Sequence, residues 1–459
     1  MLIIPALSVL TAIMVWGIVY RLTARHAFDA CALSLSIFAL FQFTRALLIA
    51  FGLDTPFPDY LFGEYWDLII IAQMMAILWL LSFLLGYLTL SGLVSPLTRA
   101  LPYVRKQPDP LIIMIVNATL TLLAALVAIW LIARFGSFGM VQRAIKTEKA
   151  LAGSYALRQF ASIGLFSCAT AFAYFQFCGG KKHPRYKPIY TVLIVAFFLS
   201  NLGASYIWAA RGPIVFALGM LFISYQVYQK KGALNLLLGA AALFGIVFLL
   251  RIVRDMLITG EIIGTIADAH AVRAFTIAAN MQEFDALMLV IRDWGDALTL
   301  RWGEDFYNGL AGIIPRAIWP DKPEVIAPGR WFRLYYQPSV INGWPFTAVG
   351  EWFINFWYPG IVIGGALSGL AIRTVQTKYN DFRTNPYSLF FMVIFAVNVF
   401  GGGIETRWPT SYTMWAVPLF ILTIFFNMKL GFGAARAPAM EPPPSGLPQP
   451  TGLSSRPGL

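Results

Sequence analysis

The residues between 251 and 346 include an unusual set of charged side chains: nine bases, eight of them arginine, and eleven acids. A guanidinium is planar, stays charged in a dry site and holds two phosphate oxygens through parallel hydrogen bonds, whereas a lysine ammonium acts as a point charge. The preference for arginine therefore predicts a site for an anionic, phosphate-bearing ligand. The alternative is that these arginines pair with the acids of the same segment.

Some arginines are harder to explain by such pairing. Arg211 has no acid near it in the sequence, and Arg251 and Arg254 are three residues apart, which places them on one face of a helix. Together with Arg316 they are the candidates for contact with phosphate. Arg45 stands inside an apolar run, where a charge is functional by default unless the side chain extends to the membrane surface.

Two residues are candidates for a general base. Glu351 precedes a long apolar run, where its carboxylate could take the proton of an acceptor hydroxyl; the alternative is an ion pair with Arg330 or Arg407. His270 is the one histidine expected on the same side of the membrane, and its alternative role is that of a solvent-facing side chain.

The string GIIPRAIWPDKP, residues 312–323, is the most distinctive in the chain. Its three prolines preclude a regular helix and predict a stiff, extended path that holds Arg316. Trp319 suits the depth of a membrane interface. Trp319, Lys322, Arg330 and Arg407 complete the set of expected substrate-binding residues.

The sequence offers little for a metal ion. Asp54, Asp59 and Glu64 form no tight pair, and Glu283 and Asp285, which flank one phenylalanine, are better explained by the polar face of a helix than by a metal site. The three cysteines show no metal-ligand spacing. We therefore expect arginines to stabilise the anion, with no metal and no other cofactor.

The composition predicts the elements that position these side chains. Of the residues, 58% are hydrophobic and 12% are charged, whereas a soluble domain carries roughly 25% charged residues. A water-facing surface is excluded over this length, and the predicted class is an all-α, polytopic integral membrane protein. The net charge of +12 is attributed to membrane topology and the arginine site, not to nucleic acid.

About eleven apolar stretches are candidates for membrane spans, each of which needs about 20 residues. They are residues 1–20, 29–51, 67–93, 111–133, 155–178, 189–209, 213–229, 234–250, 348–372, 386–403 and 412–430.

Every second loop between these stretches is short and basic, which predicts that it is cytoplasmic. The first basic residues follow the first stretch, so we expect a permanent span with its N-terminus outside and the C-terminus inside. The chain is then one transmembrane domain, residues 1–433, with a large outer (periplasmic) loop at 251–346. Residues 434–459, rich in proline, are expected to form a disordered cytoplasmic tail.

At PRAIWPDKP, and at TAVGEWFINFWYPGIVIGG from Thr347, the chain resembles the bacterial O-antigen and exopolysaccharide repeat-unit polymerases of the Wzy type. The resemblance is tighter over residues 303–365 and looser elsewhere, where RGPIVFALG and the arrangement of spans add to it. Trp357 and Tyr358 depart from the family, which more often has a glycine after the pair Asn355-Phe356.

The resemblance implies a GT-C-like glycosyltransferase of the bacterial inner membrane. Such an enzyme transfers the growing glycan from undecaprenyl pyrophosphate to the next lipid-linked oligosaccharide unit on the outer face, and lipid pyrophosphate leaves. A flippase and a chain-length regulator are the expected partners, besides the bilayer. The alternatives are an O-antigen ligase, a lipid-linked glycan transporter or flippase without catalysis, and a receptor or assembly factor for envelope glycan.

Overall fold

The computed structural model describes residues 3–23, 28–105, 108–147, 155–179, 187–208, 211–229, 281–296, 298–314, 318–322, 328–338, 343–344 and 346–428, with isolated residues between 235 and 276. Across these residues the chain is helical and contains no β-strand. The all-α prediction is confirmed.

Within the described part of the chain, eight helices are long and apolar enough to cross a membrane. They confirm a polytopic membrane protein, although not the number eleven. The eight are α1 (Ile3–Thr23), α2 (Ala30–Ala50), α3 (Trp66–Thr89, extended by short turns to Ala100), α4 (Pro110–Phe135), α6 (Tyr155–Ala173, apolar to Cys178), α7 (Lys187–Ile207), α12 (Ala348–Lys378) and α14 (Trp408–Asn427).

The other three expected spans have different outcomes. The stretch 213–229 lies in helix α8 (Arg211–Gln229), which is not one of the eight. The stretch 386–403 contains a shorter apolar helix, Pro386–Val399, whose first part we label α13 (Pro386–Val393). The stretch 234–250 falls largely outside the described residues.

Helices α3 and α12 form the central pair and run in the same direction. Gly365 lies against the backbone of Trp79, and Gly369 lies one turn further on against Phe83 and Tyr87. In lipid, the hydrophobic effect does not drive apolar helices together. Such a pair is instead stabilised by close backbone packing at small residues.

The loops between helices gather at two ends of the bundle. At one end, Ala30 N–H donates to Gln376 (2.7 Å), the Tyr379 hydroxyl donates to the Pro102 carbonyl (2.8 Å), and Asn427 donates to the Tyr103 carbonyl (3.0 Å). These are residues of, or next to, loops that the sequence places on the cytoplasmic side. The alternation of loops is therefore consistent with the helix contacts, while the side that each end faces remains a prediction.

The opposite end, which we call the acidic end, carries the starts of α3, α12 and α14 and three short helices from the large loop. These are α9 (Glu283–Arg292), α10 (Glu304–Ile313) and α11 (Pro328–Tyr336). A further short helix, α5 (Phe138–Thr147), follows α4. The candidate catalytic and binding side chains described below lie at this end.

Candidate functional site

Helix α12 is broken close to the acidic end. Trp357 has φ 58° and ψ −150°, and this non-helical residue separates residues 348–356 from residues 358–378. The second part has 21 residues, enough at about 1.5 Å per residue to cross the hydrocarbon core, roughly 30 Å thick. The second part alone is therefore long enough to be a span, and the break lies at its end nearer the acidic end.

The break exposes backbone groups that neighbouring segments then satisfy. The Ile354 carbonyl accepts a hydrogen bond from Arg301 N–H (2.9 Å), so the segment before α10 is docked at the break. Asn355 Nδ2 donates to Asp305 Oδ2 and to the Glu351 carbonyl, both at 2.9 Å. These bonds tie the start of α10 to the first part of α12.

Glu351 lies in the first turn of α12, just after the Thr347 side chain that caps the helix. Gly350 N–H donates to Thr347 Oγ1 (2.9 Å), which fixes the helix start. The Glu351 carboxylate is 2% exposed and accepts a hydrogen bond from Thr406 N–H (2.6 Å). The segment preceding α14 is therefore attached directly to the candidate base.

Three carboxylates from three segments interact around Glu351: Glu283 at the start of α9, Glu351, and Glu405 before α14. We call these three residues the acid cluster. Arg407 interacts with all three, and its guanidinium lies 3.9 Å from Glu405 Oε2 with 57% of the side chain exposed. The structure thus brings together two of the predicted site residues, Glu351 and Arg407, and this proximity fits both a catalytic pair and the alternative of a charge pair.

Burial in the cluster changes the protonation of its members. Burial raises the pKa of Glu405, and Arg407 only partly opposes that effect. Burial, followed by the charges of Glu405 and Glu351, raises the pKa of Glu283 well above its usual range. Mutual repulsion and loss of hydration both favour the protonated carboxyl. The cluster can therefore hold and release protons next to an exposed guanidinium.

A second group of paired charges has a buried centre, formed by Arg45, Asp54 and Asp285, and extends to Asp59, whose side chain is 61% exposed. Arg45, 0% exposed, donates to Asp285 (Nη2–Oδ2, 2.7 Å) and to Asp54. Arg273 donates to Asp54 (3.1 Å) and to Asp59. We call these five residues the buried clamp. It connects α2, the first loop and α9, so Arg45 has a structural partner and does not extend to the surface, and Asp285 is not on a solvent-facing side of α9.

Other arginines of the large loop are also paired with acids, which is the alternative that the sequence left open. Arg292 Nε lies 2.6 Å from Asp293, which also accepts a hydrogen bond from Tyr336 on α11. Arg301 Nε donates to Asp305 (2.7 Å), and its guanidinium carbon lies 4.2 Å from the centre of the Trp331 ring. These arginines hold the short helices together.

The remaining predicted site residues have different outcomes. Arg316, Arg251, Arg254 and His270 lie outside the described residues, and Arg211 begins α8 with its side chain outside them too. Lys322 donates to the carbonyls of Ala311 (3.3 Å) and Ile314 (2.7 Å) and so caps the end of α10.

Two more expected substrate-binding residues are described. Trp319 and Arg330 are both half-buried. Lys322 N–H donates to the Trp319 carbonyl oxygen (3.4 Å). Arg330 lies in α11, where its backbone passes close to Gly343.

Sequence reasoning missed Glu405 and the role of Glu283. The signal for Glu405 is the string GGGIETRWP: a charged pair between three glycines and the last apolar stretch. No signal in the sequence joins Glu283 to Glu351, because their proximity depends on how α9 packs against α12.

Among the described residues, no group of three or more histidine, cysteine or acidic side chains has an arrangement that could hold a metal ion. Comparison of the chain with protein-family models, with curated proteins and with solved structures found no match.

Proposed function

We propose that this protein is a membrane glycosyltransferase that polymerises lipid-linked oligosaccharide repeat units. The donor is a glycan on undecaprenyl pyrophosphate, and the acceptor is a hydroxyl of the next lipid-linked unit. The proposal places the acidic end on the outer face of a bacterial inner membrane, within a GT-C-like arrangement of about eleven spans. The resemblance of residues 303–365 to the Wzy-type polymerases supports it.

The observation that carries the proposal is the meeting of Glu351 with Arg407. In the proposed reaction, Glu351 accepts the proton of the acceptor hydroxyl. The oxygen of that hydroxyl bonds to the anomeric carbon of the donor. The bond from that carbon to the pyrophosphate oxygen breaks, and the lipid pyrophosphate leaves with the electron pair. Arg407 is exposed, so its guanidinium is available to stabilise the charge of this leaving group.

The position of the break in α12 favours one-sided chemistry over transport. Transporters commonly bind substrate near the middle of the bilayer, at discontinuous helices. The break at Trp357 instead leaves 21 residues below it, a complete span. In the proposed arrangement the acid cluster lies at the membrane surface, where a carrier-linked pyrophosphate is found.

The test is complementation of cells that lack this gene, with glycan chain length as the readout. Arg407→Lys keeps the charge and loses the two-pronged donor, and Glu351→Gln keeps the size and loses the base. We expect both to give surface glycans of single repeat units, with at least a tenfold loss of long chains. Arg134→Lys, which changes an exposed arginine at the end of α4, is the matched control.

The outcomes separate the alternatives. A ligase that lost activity would leave long polymer on the lipid carrier, and a flippase would leave repeat units on the inner face. Unchanged chain length in both variants, at equal protein levels, would show that the cluster has no part in polymerisation.

A further inference from the structure

The polarity of α10 is inverted relative to a helix on a water-soluble surface. Its polar residues Asp305 and Asn308 are buried, whereas Tyr307 and Leu310 are more than half exposed. Apolar residues recur every third position along the exposed side, which is the spacing of one helix face. Apart from Glu304 in the first turn, whose side chain is 57% exposed, the face turned away from the protein is thus apolar.

The apolar surface continues beyond α10 on both sides. Trp302 before the helix is 80% exposed, and Ile318 after it is 75% exposed. We call the whole surface the α10 patch. It consists of Trp302, Tyr307, Leu310, Ile313, Ile314, Ile318, Trp357 and Tyr358.

Contacts fix the position of the patch against two membrane-spanning helices. Gly309 lies against the Thr406 carbonyl, and Gly312 lies beside Thr410, so α10 crosses the start of α14. Trp302 follows Arg301, whose N–H is bonded to Ile354, and is therefore next to the break in α12. Below the break, Val362 and Ile363 on α12 are exposed as well.

We propose that the α10 patch is embedded in the membrane leaflet next to the acid cluster, so that lipid is its partner. Tryptophan and tyrosine favour the interface between headgroups and acyl chains, and leucine and isoleucine favour the acyl chains below it. The break in α12 lies at this interface, and α10 lies beside the break. In this arrangement the helix lies along the membrane surface, with its polar side bonded to Asn355 of α12 and its apolar side in lipid.

The neighbouring surfaces favour lipid over a protein partner. The exposed sides of α12 and α14 next to α10 belong to helices long and apolar enough to span the membrane, and the exposed side of α10 continues the side of α12. A second copy of the chain or another protein remains a distinguishable outcome of the test below.

The test uses the full chain in lipid vesicles, with its three cysteines replaced by alanine and one nitroxide label per variant. Labels are attached at Leu310→Cys and Ile318→Cys. Val362→Cys on α12 is the lipid-facing control, and Glu64→Cys on an exposed loop is the water-facing control. Collisions with oxygen, which enriches in lipid, are compared with collisions with a water-soluble nickel chelate.

We expect the labels at positions 310 and 318 to collide mainly with oxygen, as the label at 362 does. The label at 64 should collide mainly with the nickel chelate. Dominant nickel collisions would place the patch in water, and protection from both reagents would place it under another protein. Either result overturns the proposal.

A second measurement avoids the cysteine background. Brominated lipids should quench the tryptophan fluorescence of the native chain. The part of this quenching that is due to Trp302 should be missing in Trp302→Phe. Equal quenching of the two proteins would overturn the placement of Trp302 in lipid.

Discussion

At the scale of single residues, Trp357 combines two observations. The Wzy-type polymerases that this stretch resembles more often have glycine here, and the backbone adopts φ 58° and ψ −150°, a region that essentially only glycine occupies without strain. The strain is a property of the fold, so the sequence could not reveal it.

The strain at Trp357 predicts an unusual order of stability among its variants. Trp357→Gly should be more stable than Trp357→Ala by about 1 kcal/mol or more, because alanine keeps the strain while both variants lose the ring. Thermal unfolding in detergent measures the difference. Equal stability of the two variants would mean that the backbone at this residue is not strained.

Glu405 predicts a dependence of stability on pH. Burial raises its pKa in the folded protein above the usual value of 4.5. The folded state then binds the proton more tightly than the unfolded state, so this contribution to stability is full below pH 4.5 and is lost as pH rises through the folded pKa.

Glu405→Gln cannot ionise, so the decrease of its melting temperature with rising pH should be smaller than that of the unchanged protein. Glu283, Glu351 and Arg407 face the same site and remain in both proteins. Glu64→Gln, at an exposed position, is the matched control and should follow the unchanged protein. Parallel curves for all three proteins would contradict the raised pKa.

At the scale of helices, the contact between α3 and α12 depends on missing side chains. A Cβ at Gly369 would overlap the backbone of Phe83, and backbone cannot move aside as a flexible side chain can. Gly369→Ala should therefore lower the melting temperature in detergent. Gly203→Ala in α7 meets nothing within 4 Å, and it should be neutral or stabilising by up to about 1 kcal/mol. A Gly369→Ala protein as stable as Gly203→Ala would refute this packing.

Eight of the eleven expected spans coincide with helices long and apolar enough to cross a membrane, because apolar length alone determines such stretches. The spans that α3 and α4 form start within one residue of the expected positions, 67 and 111. The acid cluster could be predicted only in part. Glu351 and Arg407 are recognisable in the sequence because each lies at the start of an apolar stretch. Glu283 comes near them only because α9 packs against α12.

The pairing of the loop arginines was also beyond the sequence. The acids outnumber the bases between residues 251 and 346, so composition leaves open whether Arg292 and Arg301 bind a ligand or an acid. Only the fold decides, and in both cases it supplies an acid from the same segment: Asp293 and Asp305.

At the scale of the whole molecule, the two ends of the bundle predict which residues a reagent can reach. Glu64 is exposed at the acidic end, and Arg99 is exposed near the opposite end. In intact spheroplasts, a membrane-impermeant maleimide should label Glu64→Cys and should label Arg99→Cys only after lysis. The unchanged protein, with two buried cysteines and one half-buried cysteine, gives the background. The reverse labelling pattern would mean that the protein has the opposite orientation in the membrane.

The buried clamp has a consequence for how the chain is made. Asp54 follows Arg45 by 9 residues, so the ribosome delivers the first carboxylate almost together with the guanidinium. Asp285 is synthesised 240 residues after Arg45. Until then, Arg45 in α2 has only one of its two acidic partners, Asp54. A nascent chain stalled before Asp285 therefore holds an incompletely neutralised arginine in a membrane segment, where an unpaired charge is costly.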